Sequence, residues 1–235
     1  MTEIVEQIDA TNGRWYRLDN GLVIPSVTTV VDVYPKPELM DWYGLQPSLQ
    51  EANRVRDEAA AWGTLIHEAC YDLINGEVVD VSEWEDAKAI KKLLGFKRWY
   101  EETQPHITSI ELAVTDGHAI AGQLDLVADI GGVTWVLDLK TSGDVYPSHH
   151  IQVAAYREAY NQQHGGADAC GILHLKSTTK KGWQLVEVQV EGPQFGWVSP
   201  MIAYDACYTL FTHLHGSEPK QSSKASLPTS VQLEV

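Results

Sequence analysis

The chain has 235 residues, of which 44% are hydrophobic, and its formal net charge at pH 7 is -15. This length allows one large domain or two small ones, and the apolar content is sufficient for a sizeable core. The sequence contains no apolar segment of about 18 residues that could cross a membrane, and we expect no secretory signal. The acidic balance argues against a nucleic-acid-binding protein, because such proteins usually carry basic stripes.

The three cysteines, Cys70, Cys170 and Cys207, are far apart and odd in number. Their spacing provides no disulfide framework, no Cys-x-x-Cys metal motif and no four-cysteine motif for an iron–sulfur cluster. We therefore expect a reducing, cytoplasmic setting.

The elements predicted in the first half of the chain are a hairpin and three helices. Residues 14–31 are predicted to contain the hairpin, around Asp19-Asn20-Gly21, and a short helix is expected at 38–44. A helix at about 51–74 is predicted from apolar residues that recur at steps of four and three, namely Val55, Ala59, Trp62, Ile66, Ala69 and Leu73. A further helix is expected at about 81–102, where Pro105 follows.

The second half is predicted to alternate strands with helices. The expected strands lie at about 107–114, 119–130, 133–141, 169–177 and 183–190, with Lys180-Lys181-Gly182 in the last turn. The expected helices lie at about 148–165, with Ser148 as the amino-terminal cap, and at about 193–214. This order predicts one α/β domain with a mixed sheet that contains an antiparallel meander.

The predicted domain covers residues 1–215 and has three parts. They are a hairpin with helices in 1–105, a sheet core in 106–190 and a last helix in 193–214. The segment 216–235 is rich in Ser, Lys and Pro, which predicts a disordered tail.

Two acidic residues are predicted to face each other across a hairpin. If Gly131-Gly132 forms the turn, Ile130 pairs with Val133, and counting outward places Asp125 opposite Asp138. Carboxylates placed so, with Cβ atoms about 5 Å apart, repel each other, and a divalent cation between them would reverse that penalty. Lys140 projects from the same face as Asp138. Two acids and a lysine together favour a metal-dependent phosphodiesterase site.

A simpler interpretation is that the two acids lie on the solvated face of an ordinary sheet. The apolar residues around them argue against it. The opposite face is predicted to be apolar and buried under helices, with Leu124, Leu126, Ala128, Trp135, Leu137 and Leu139.

Four more polar residues are candidates for the site. His67 lies one turn after Gly63 on the predicted helix, and neutral imidazole is a common ligand beside carboxylates. Gln152 and Tyr156 share one face of a later helix, and Glu111 lies on the first strand of the meander. Each residue also has an ordinary structural interpretation: a satisfied helical histidine, a helix rim that packs its tyrosine, and an exposed strand residue.

Basic residues are clustered despite the acidic composition. The clusters are Arg54 with Arg56, then Lys88, Lys91, Lys92, Lys97 and Arg98, and then Lys176, Lys180 and Lys181. Each could be a solvated helix or loop face. If they contact phosphates, binding to nucleic acid should be weak and strongly dependent on salt.

The candidate motifs occur in a characteristic order. Gly63-x-x-x-His67, Gly122-x-x-Asp125, Asp138-Leu-Lys140-Thr141 and Gln152-x-x-x-Tyr156 follow one another, after an early Pro25-Ser-Val-Thr-Thr-Val segment. This set, within about 24–190, resembles the PD-(D/E)XK nuclease superfamily. It is most similar to the RecB-type branch, which includes phage exonucleases and the mitochondrial genome maintenance exonuclease.

The resemblance implies a restriction-endonuclease-like fold and a role for each motif residue. His67, Asp125 and Asp138 would bind Mg²⁺ or Mn²⁺, together with the carbonyl of Leu139. Lys140 would position or deprotonate the attacking water. Residues implied to orient the site or hold substrate are Gln152, Tyr156, Thr141, Arg54 and Arg56, and Glu111 would add to the acidic group. Leu124 replaces the proline that gives the superfamily its name, and the absence of cluster cysteines implies no iron–sulfur cluster.

The implied activity is DNA exonuclease cleavage that leaves 5′-phosphates, in phage or prophage recombination or DNA processing. Two alternatives stay open: a structure-specific or restriction-type endonuclease, and a non-catalytic nuclease-derived DNA-binding protein. The expected partner is DNA rather than a membrane, with a homo-oligomer or a recombination partner protein left open.

Overall fold

The computed structural model describes residues 2–190 and 198–221. It contains two sheets, a small one of three strands and a larger one of five. The strands are β1 (Ile4–Ala10), β2 (Gly13–Leu18), β3 (Val23–Pro25), β4 (His106–Thr115), β5 (Ala121–Ile130), β6 (Val133–Lys140), β7 (Ala169–Leu175) and β8 (Trp183–Glu187). The helices are α1 (Val27–Val31), α2 (Pro37–Gly44), α3 (Leu49–Ile74), α4 (Ala87–Thr103), α5 (Pro147–Gln163) and α6 (Pro200–His215).

The small sheet contains the predicted amino-terminal hairpin and one unpredicted strand. β2 and β3 pair antiparallel as expected, and β1 adds to the other side of β2. Most of β1 is exposed, so its sequence lacks the alternation that marks a half-buried strand. The end of the predicted hairpin region is helical instead, because the Ser26 hydroxyl accepts a hydrogen bond from the Thr29 amide and caps α1.

The five-stranded sheet confirms the predicted mixed α/β class. β4, β5 and β6 form an antiparallel meander, β7 runs parallel to β6, and β8 is antiparallel to β7. A parallel pair needs a crossover connection, and α5 provides it between β6 and β7. One face packs under α3 and α4, and the other under α1, α5 and α6, so both faces are buried.

Two helix starts and the burial of one helix face differ from the prediction. The helix expected at 81–102 begins only at Ala87, because the Asp86 carboxylate accepts the Lys88 amide and caps it there. α5 is capped at Tyr146 rather than Ser148, since Pro147 suits the first helical position. The expected α3 stripe is buried at Ile66 and exposed at Ala59, because the sheet covers only the later turns.

The chain after β8 is described only in part. α6 begins at Pro200 with Ser199 as its cap, and the expected start at Pro193 lies outside the described residues. At the start of the predicted disordered tail, the Lys220 amide donates to Asn12 and the Lys220 carbonyl accepts from Thr11. These first tail residues are thus bound to the β1–β2 turn, and 222–235 are outside the described part.

The register of the β5–β6 hairpin is confirmed from Ile130↔Val133 to Leu126↔Leu137. The backbone pairing of β5 with β6 ends at that last pair. The predicted pairing of Asp125 with Asp138 is therefore wrong, because these two residues lie beyond the paired part of the strands. The Leu139 amide instead donates to the Asp125 carboxylate at 2.7 Å. A side chain therefore replaces the backbone acceptor where the two strands separate.

The predicted single apolar face is wrong at Leu124. Leu126 packs under α3 and α4, whereas Leu124 packs with the cluster under α5. On β4, Leu112 and Ile110 change faces in the same way, on either side of Glu111, whose φ is 49°. In both strands, the alternation of side chains between the two faces of the sheet therefore shifts by one residue near Asp125. The side chain of Asp125 lies at the position of this shift.

Candidate active site

The end of β6 carries a buried acid beside a lysine. Asp138 is 1% exposed, and its Oδ2 lies 2.6 Å from the Nζ of Lys140. That buried oxygen accepts no hydrogen bond of good geometry, while Oδ1 accepts one from Gln152 Nε2 on α5 at 3.0 Å. Asp138 and Lys140 project from the same face, as their spacing predicts.

Asp125 is held by groups from two different elements. Its Oδ2 accepts the Leu139 amide, and its Oδ1 accepts the hydroxyl of Tyr71 on α3 at 3.2 Å. The Nδ1 of His67 lies 3.8 Å from the same Oδ1. The structure thus brings together His67, Asp125 and Leu139, as the motif order implied.

Burial controls the ionisation of these groups. Loss of water raises the pKa of Asp138 to about 6 and also raises the pKa of Asp125, while the positive charge of Lys140 opposes both shifts. The pKa of His67 is lowered, first by burial and then by Lys140, so its imidazole is neutral at pH 7. The buried carboxylate of Asp138, the half-buried carboxylate of Asp125 and a neutral imidazole form a donor set that suits a hard divalent cation.

Those donors are not arranged as a ready-made metal cage. Within residues 2–190 and 198–221, no group of three or more His, Cys, Asp and Glu side chains has the spacing of a metal site. Asp125 is occupied by the Tyr71 hydroxyl and the Leu139 amide, and Asp138 by Lys140 and Gln152. The chemistry of the donors, two carboxylates and one neutral imidazole, nevertheless fits a divalent ion.

Tyr156 and two glycines complete the packing around the acids. The hydroxyl of Tyr156 lies 3.5 Å from Gln152 Nε2, and its ring is buried against Gly122. A Cβ on Gly122 would lie 2.6 Å from that ring, so only glycine permits this approach. On α3, a Cβ on Gly63 would lie 3.3 Å from the Thr141 hydroxyl, which explains the glycine one turn before His67.

Glu111 acts on the site through its charge. It is exposed, and its negative charge adds to the effect of burial in raising the pKa values of Asp125 and Tyr71, while it opposes the lowering of the His67 pKa. Its positive φ is uncommon for a residue other than glycine and coincides with the face change of β4. Glu111 therefore belongs to the electrostatic surroundings of the acids.

The predicted substrate-binding arginines are not part of the acidic group. Arg54 forms ion pairs with Glu51 and Glu58, and Arg56 pairs with Asp57. Both arginines are exposed on α3. Thr141, by contrast, directly follows Lys140, and its carbonyl accepts a hydrogen bond from Lys92 on α4 at 2.6 Å.

Sequence reasoning missed Tyr71 and Lys92. Tyr71 lies four residues after His67 on one helical face, and this spacing was the available signal. Lys92 was noted only as one member of a basic cluster. Its hydrogen bond to Thr141 joins that cluster to the end of the strand that carries Asp138 and Lys140.

The fold brings two of the three basic clusters together. Arg98 on α4 donates to the carbonyl of Lys180 at 2.7 Å, and Lys91, Arg98 and Lys180 line one shallow depression. Gly95 and Gly182 meet so closely that a Cβ on either would clash. We call Lys91, Lys92, Arg98, Lys180 and Lys181 the basic surface.

The part of the chain that the structure describes has no helix with the length and apolar character needed to cross a membrane. All three cysteines are free and buried.

Comparison with known proteins agrees with the motif order. A crystal structure of SSO0001 has a TM-score of 0.40 at 15% identity, over 83% of this chain and 78% of that chain. The crystal structure of an alkaline exonuclease, LHK-Exo, from Laribacter hongkongensis has a TM-score of 0.37 at 11% identity, over 80% and 86%. No curated protein sequence matches. The family model of the PD-(D/E)XK nuclease superfamily matches residues 44–214, and the chain therefore belongs to that superfamily.

Proposed function

We propose that the protein is a metal-dependent DNA nuclease. The observation that carries this proposal is the buried Asp138, which contacts Lys140 and Gln152 and lies in the electrostatic field of Asp125 and His67. An isolated acid so deeply buried would be strongly unfavourable, and a cluster of perturbed groups is typical of a functional site.

The residues that would hold the metal are His67, Asp125, Asp138 and the carbonyl of Leu139. All are protein oxygens except one neutral imidazole, which favours Mg²⁺ or Mn²⁺. Such an ion, when bound, lowers the pKa of a water molecule and neutralises charge that develops on the leaving oxygen.

The other residues of the site position the reacting groups. Lys140 presents a positive charge 2.6 Å from Asp138, where it can orient an attacking water and attract a phosphate oxygen. Gln152 fixes Asp138 from α5, and Tyr71 fixes Asp125 from α3. Tyr156 supports Gln152 from the same helix. This division of roles leaves Lys140 as the proposed catalytic group and the other three as positioning residues.

The basic surface is the proposed contact for the nucleic-acid backbone. It is contiguous with the acids, since Lys92 bonds to Thr141, immediately after Lys140. A local patch of positive charge would attract phosphates even though the net charge of the chain is -15. DNA is the proposed partner because of this charge complementarity and the family membership.

We propose cleavage from strand ends, leaving 5′-phosphates, rather than internal cleavage. Support for cleavage from strand ends comes from the resemblance of the motif set to the RecB-type branch, which includes exonucleases. A role in phage or prophage recombination or DNA processing rests on resemblance to the RecB-type branch alone. The free, buried cysteines support a cytoplasmic protein.

The deciding experiment is digestion of end-labelled single- and double-stranded DNA with Mg²⁺ or Mn²⁺, with and without a chelator. We expect cleavage that the chelator abolishes, and parallel samples of circular DNA should stay intact. Cut circles would show the endonuclease alternative. DNA binding without any cleavage, together with no metal binding by calorimetry, would show the non-catalytic alternative.

The test variant changes the buried acid, and the control variant makes the same change at an exposed acid on α6. Asp138→Asn should remove cleavage, whereas Asp205→Asn on the surface of α6 should behave like the wild type. Equal activity of these two variants would contradict the assignment of the site.

A further inference from the structure

A cavity of about 480 Å³ opens between α2, α3 and the amino-terminal end of α5. Its walls include the aromatic residues Tyr34, Trp42 and Tyr146 and the polar residues Ser142, His149 and Arg56. Ligand sites for small molecules typically have volumes of about 300–1,000 Å³, so this space suits one nucleotide-sized group.

The cavity is lined by the segment that directly follows β6, the strand that carries Asp138 and Lys140. Ser142 is the second residue after Lys140, and Thr141 between them contacts the Lys92 side chain. His149 on the far wall lies within the electrostatic reach of Lys140, whose charge contributes to lowering its pKa. A base seated in the cavity would therefore belong to a nucleotide close to a phosphate bound at the acids.

The chemistry of the walls suits a flat, uncharged heteroaromatic ring. Three aromatic side chains offer stacking surfaces, which attract any base because every base has a π-face. Burial and neighbouring positive charges lower the pKa of His149 to about 3, so this imidazole is neutral and offers a polar edge. The carboxylate of Glu38, also in the wall, would disfavour a phosphate more than a neutral base.

The rim of the cavity suits the backbone that carries such a base. Arg56 lies at the edge, and its guanidinium already bridges Asp57 and the Tyr43 hydroxyl. Lys36 also lines the cavity and pairs with the exposed Asp32. These cations are exposed enough to meet phosphates while the interior stays largely aromatic.

Helix α2 provides a second, independent reason for an occupant. It is rich in apolar residues, yet none of its residues is buried, and Leu39 and Met40 are exposed by 39% and 71%. Trp42 faces the cavity from this helix. A helix of this composition lacks a core contact of its own, and stacking on a base would supply one.

We propose that this cavity binds one unstacked base of the strand being cut, so that the preferred substrate has an unpaired nucleotide beside the scissile phosphate. A base within a duplex is stacked and paired, and moving it out costs a few kcal/mol. In single-stranded DNA no base pair has to be broken, so this part of the free-energy cost is absent. This inference rests on the proposed function and names the substrate form that the same site selects.

The first test compares Trp42→Ala with Trp42→Phe and with Met40→Ala. Met40 is on the same helix but outside the cavity, so its variant controls for effects on the fold of α2. We expect Trp42→Ala to raise KM for single-stranded DNA by about 5- to 150-fold, the range of one stacking contact, with a much smaller change in kcat. Trp42→Phe should restore most of the affinity, and Met40→Ala should match the wild type.

The second test moves one abasic nucleotide along a single-stranded substrate. In the wild type, one position near the cut should lose affinity, and the same position should have little further effect in Trp42→Ala, because the two changes remove one contact. An equal tolerance of abasic nucleotides at every position would overturn the inference, even if cleavage itself is normal. An unchanged KM in folded Trp42→Ala would overturn it as well.

A binding measurement keeps the inference separate from the proposed function. A single-stranded oligonucleotide with one fluorescent 2-aminopurine should be quenched by the wild type at the position that the abasic scan identifies, and not by Trp42→Ala. If the wild type does not cleave DNA, the effect of each abasic position is measured as a change in binding affinity. Quenching that depends on Trp42 would then still support base binding in the cavity. Absence of quenching at every position would overturn it.

Discussion

Tyr71 donates a hydrogen bond to Oδ1 of Asp125 across 3.2 Å, while the Leu139 amide occupies the other oxygen of the same carboxylate. α3 and β6 are therefore joined through one half-buried acid on β5. This arrangement orients Asp125 without a cross-strand partner, at the point where the β5–β6 ladder ends. A residue that orients a ligand in this way influences both metal affinity and activity.

Tyr71→Phe should leave the fold intact and weaken the site. Loss of a hydrogen bond to a ligand typically lowers metal affinity or activity by about 10- to 100-fold, and we expect a change in that range. Calorimetric titration with Mn²⁺ and the rate of cleavage measure the two effects. Tyr208→Phe on α6 is the matched control, and equal metal affinities for the two variants would contradict a positioning role.

Lys140→Ala should abolish most cleavage while the protein stays folded. Groups that transfer or orient protons contribute about 10²- to 10⁴-fold to the rate, and Lys140 also neutralises the buried Asp138. Single-turnover cleavage of labelled DNA measures the loss. Lys97→Ala, on α4, removes an equal charge elsewhere and should keep wild-type activity. Full activity of Lys140→Ala would remove this lysine from the mechanism.

The metal-free protein should lose stability as pH rises from about 4 to about 6. Burial raises the pKa of Asp138 from 3.8 to about 6, so within this window the folded state holds a proton that the unfolded state has released. The stabilising contribution is complete below the unfolded pKa and is lost as pH rises through the folded pKa. Urea unfolding at several pH values measures it.

Asp138→Asn should reduce that dependence of the free energy of unfolding on pH, and Asp205→Asn should leave it unchanged. A slope that is the same in Asp138→Asn and in the wild type would show that another group is responsible. Over the same interval, the affinity for Mn²⁺ should increase with pH, because the metal competes with the proton for the carboxylate.

The double variant Lys91→Glu/Lys180→Glu should weaken DNA binding and its salt dependence. Each lost phosphate contact lowers the slope of log affinity against log salt by about 1. Fluorescence anisotropy at several salt concentrations measures the slope. Two lysines outside the basic surface, Lys97 and Lys220, provide a control double variant with the same change in net charge. Identical slopes for both double variants would place the DNA elsewhere.

Gly122→Ala should destabilise the protein and disturb the acids. The added methyl group would lie 2.6 Å from the Tyr156 ring, and overpacking of this kind costs about 1–3 kcal/mol. Thermal and urea unfolding measure the loss. Gly143→Ala is the control, because a Cβ at Gly143 meets open space. If Gly122→Ala is as stable as the wild type, the Tyr156 ring can move aside without a loss of stability.

The meander and its acids were predictable because local rules determine them. Gly131-Gly132 places the turn, and a two-residue hairpin then determines which residues pair as far as Leu126 and Leu137. The spacing of Asp138 and Lys140 puts both on one face, and the spacing of Gln152 and Tyr156 does the same on a helix.

Long-range contacts decided the remaining features. The alternation rule fails at Asp125, because the face change also involves Glu111 on a neighbouring strand. Ser148 was a reasonable cap by composition, but Tyr146 and Pro147 form the start of α5. The union of two basic clusters depends on Gly95 and Gly182, which are 87 residues apart by their numbers, so no local pattern reveals it.

The sequence by itself determined the superfamily and the mixed sheet, because short motifs and side-chain periodicity encode them directly, and it predicted Asp125 and Asp138 as the acids of the site. The tertiary structure alone decided how those acids are held: Tyr71 and Leu139 on Asp125, and Gln152 and Lys140 on Asp138. It also decided that a cavity adjoins them. Burial and hydrogen-bond partners depend on chain segments that meet only after folding, and these set the charge and geometry of the site.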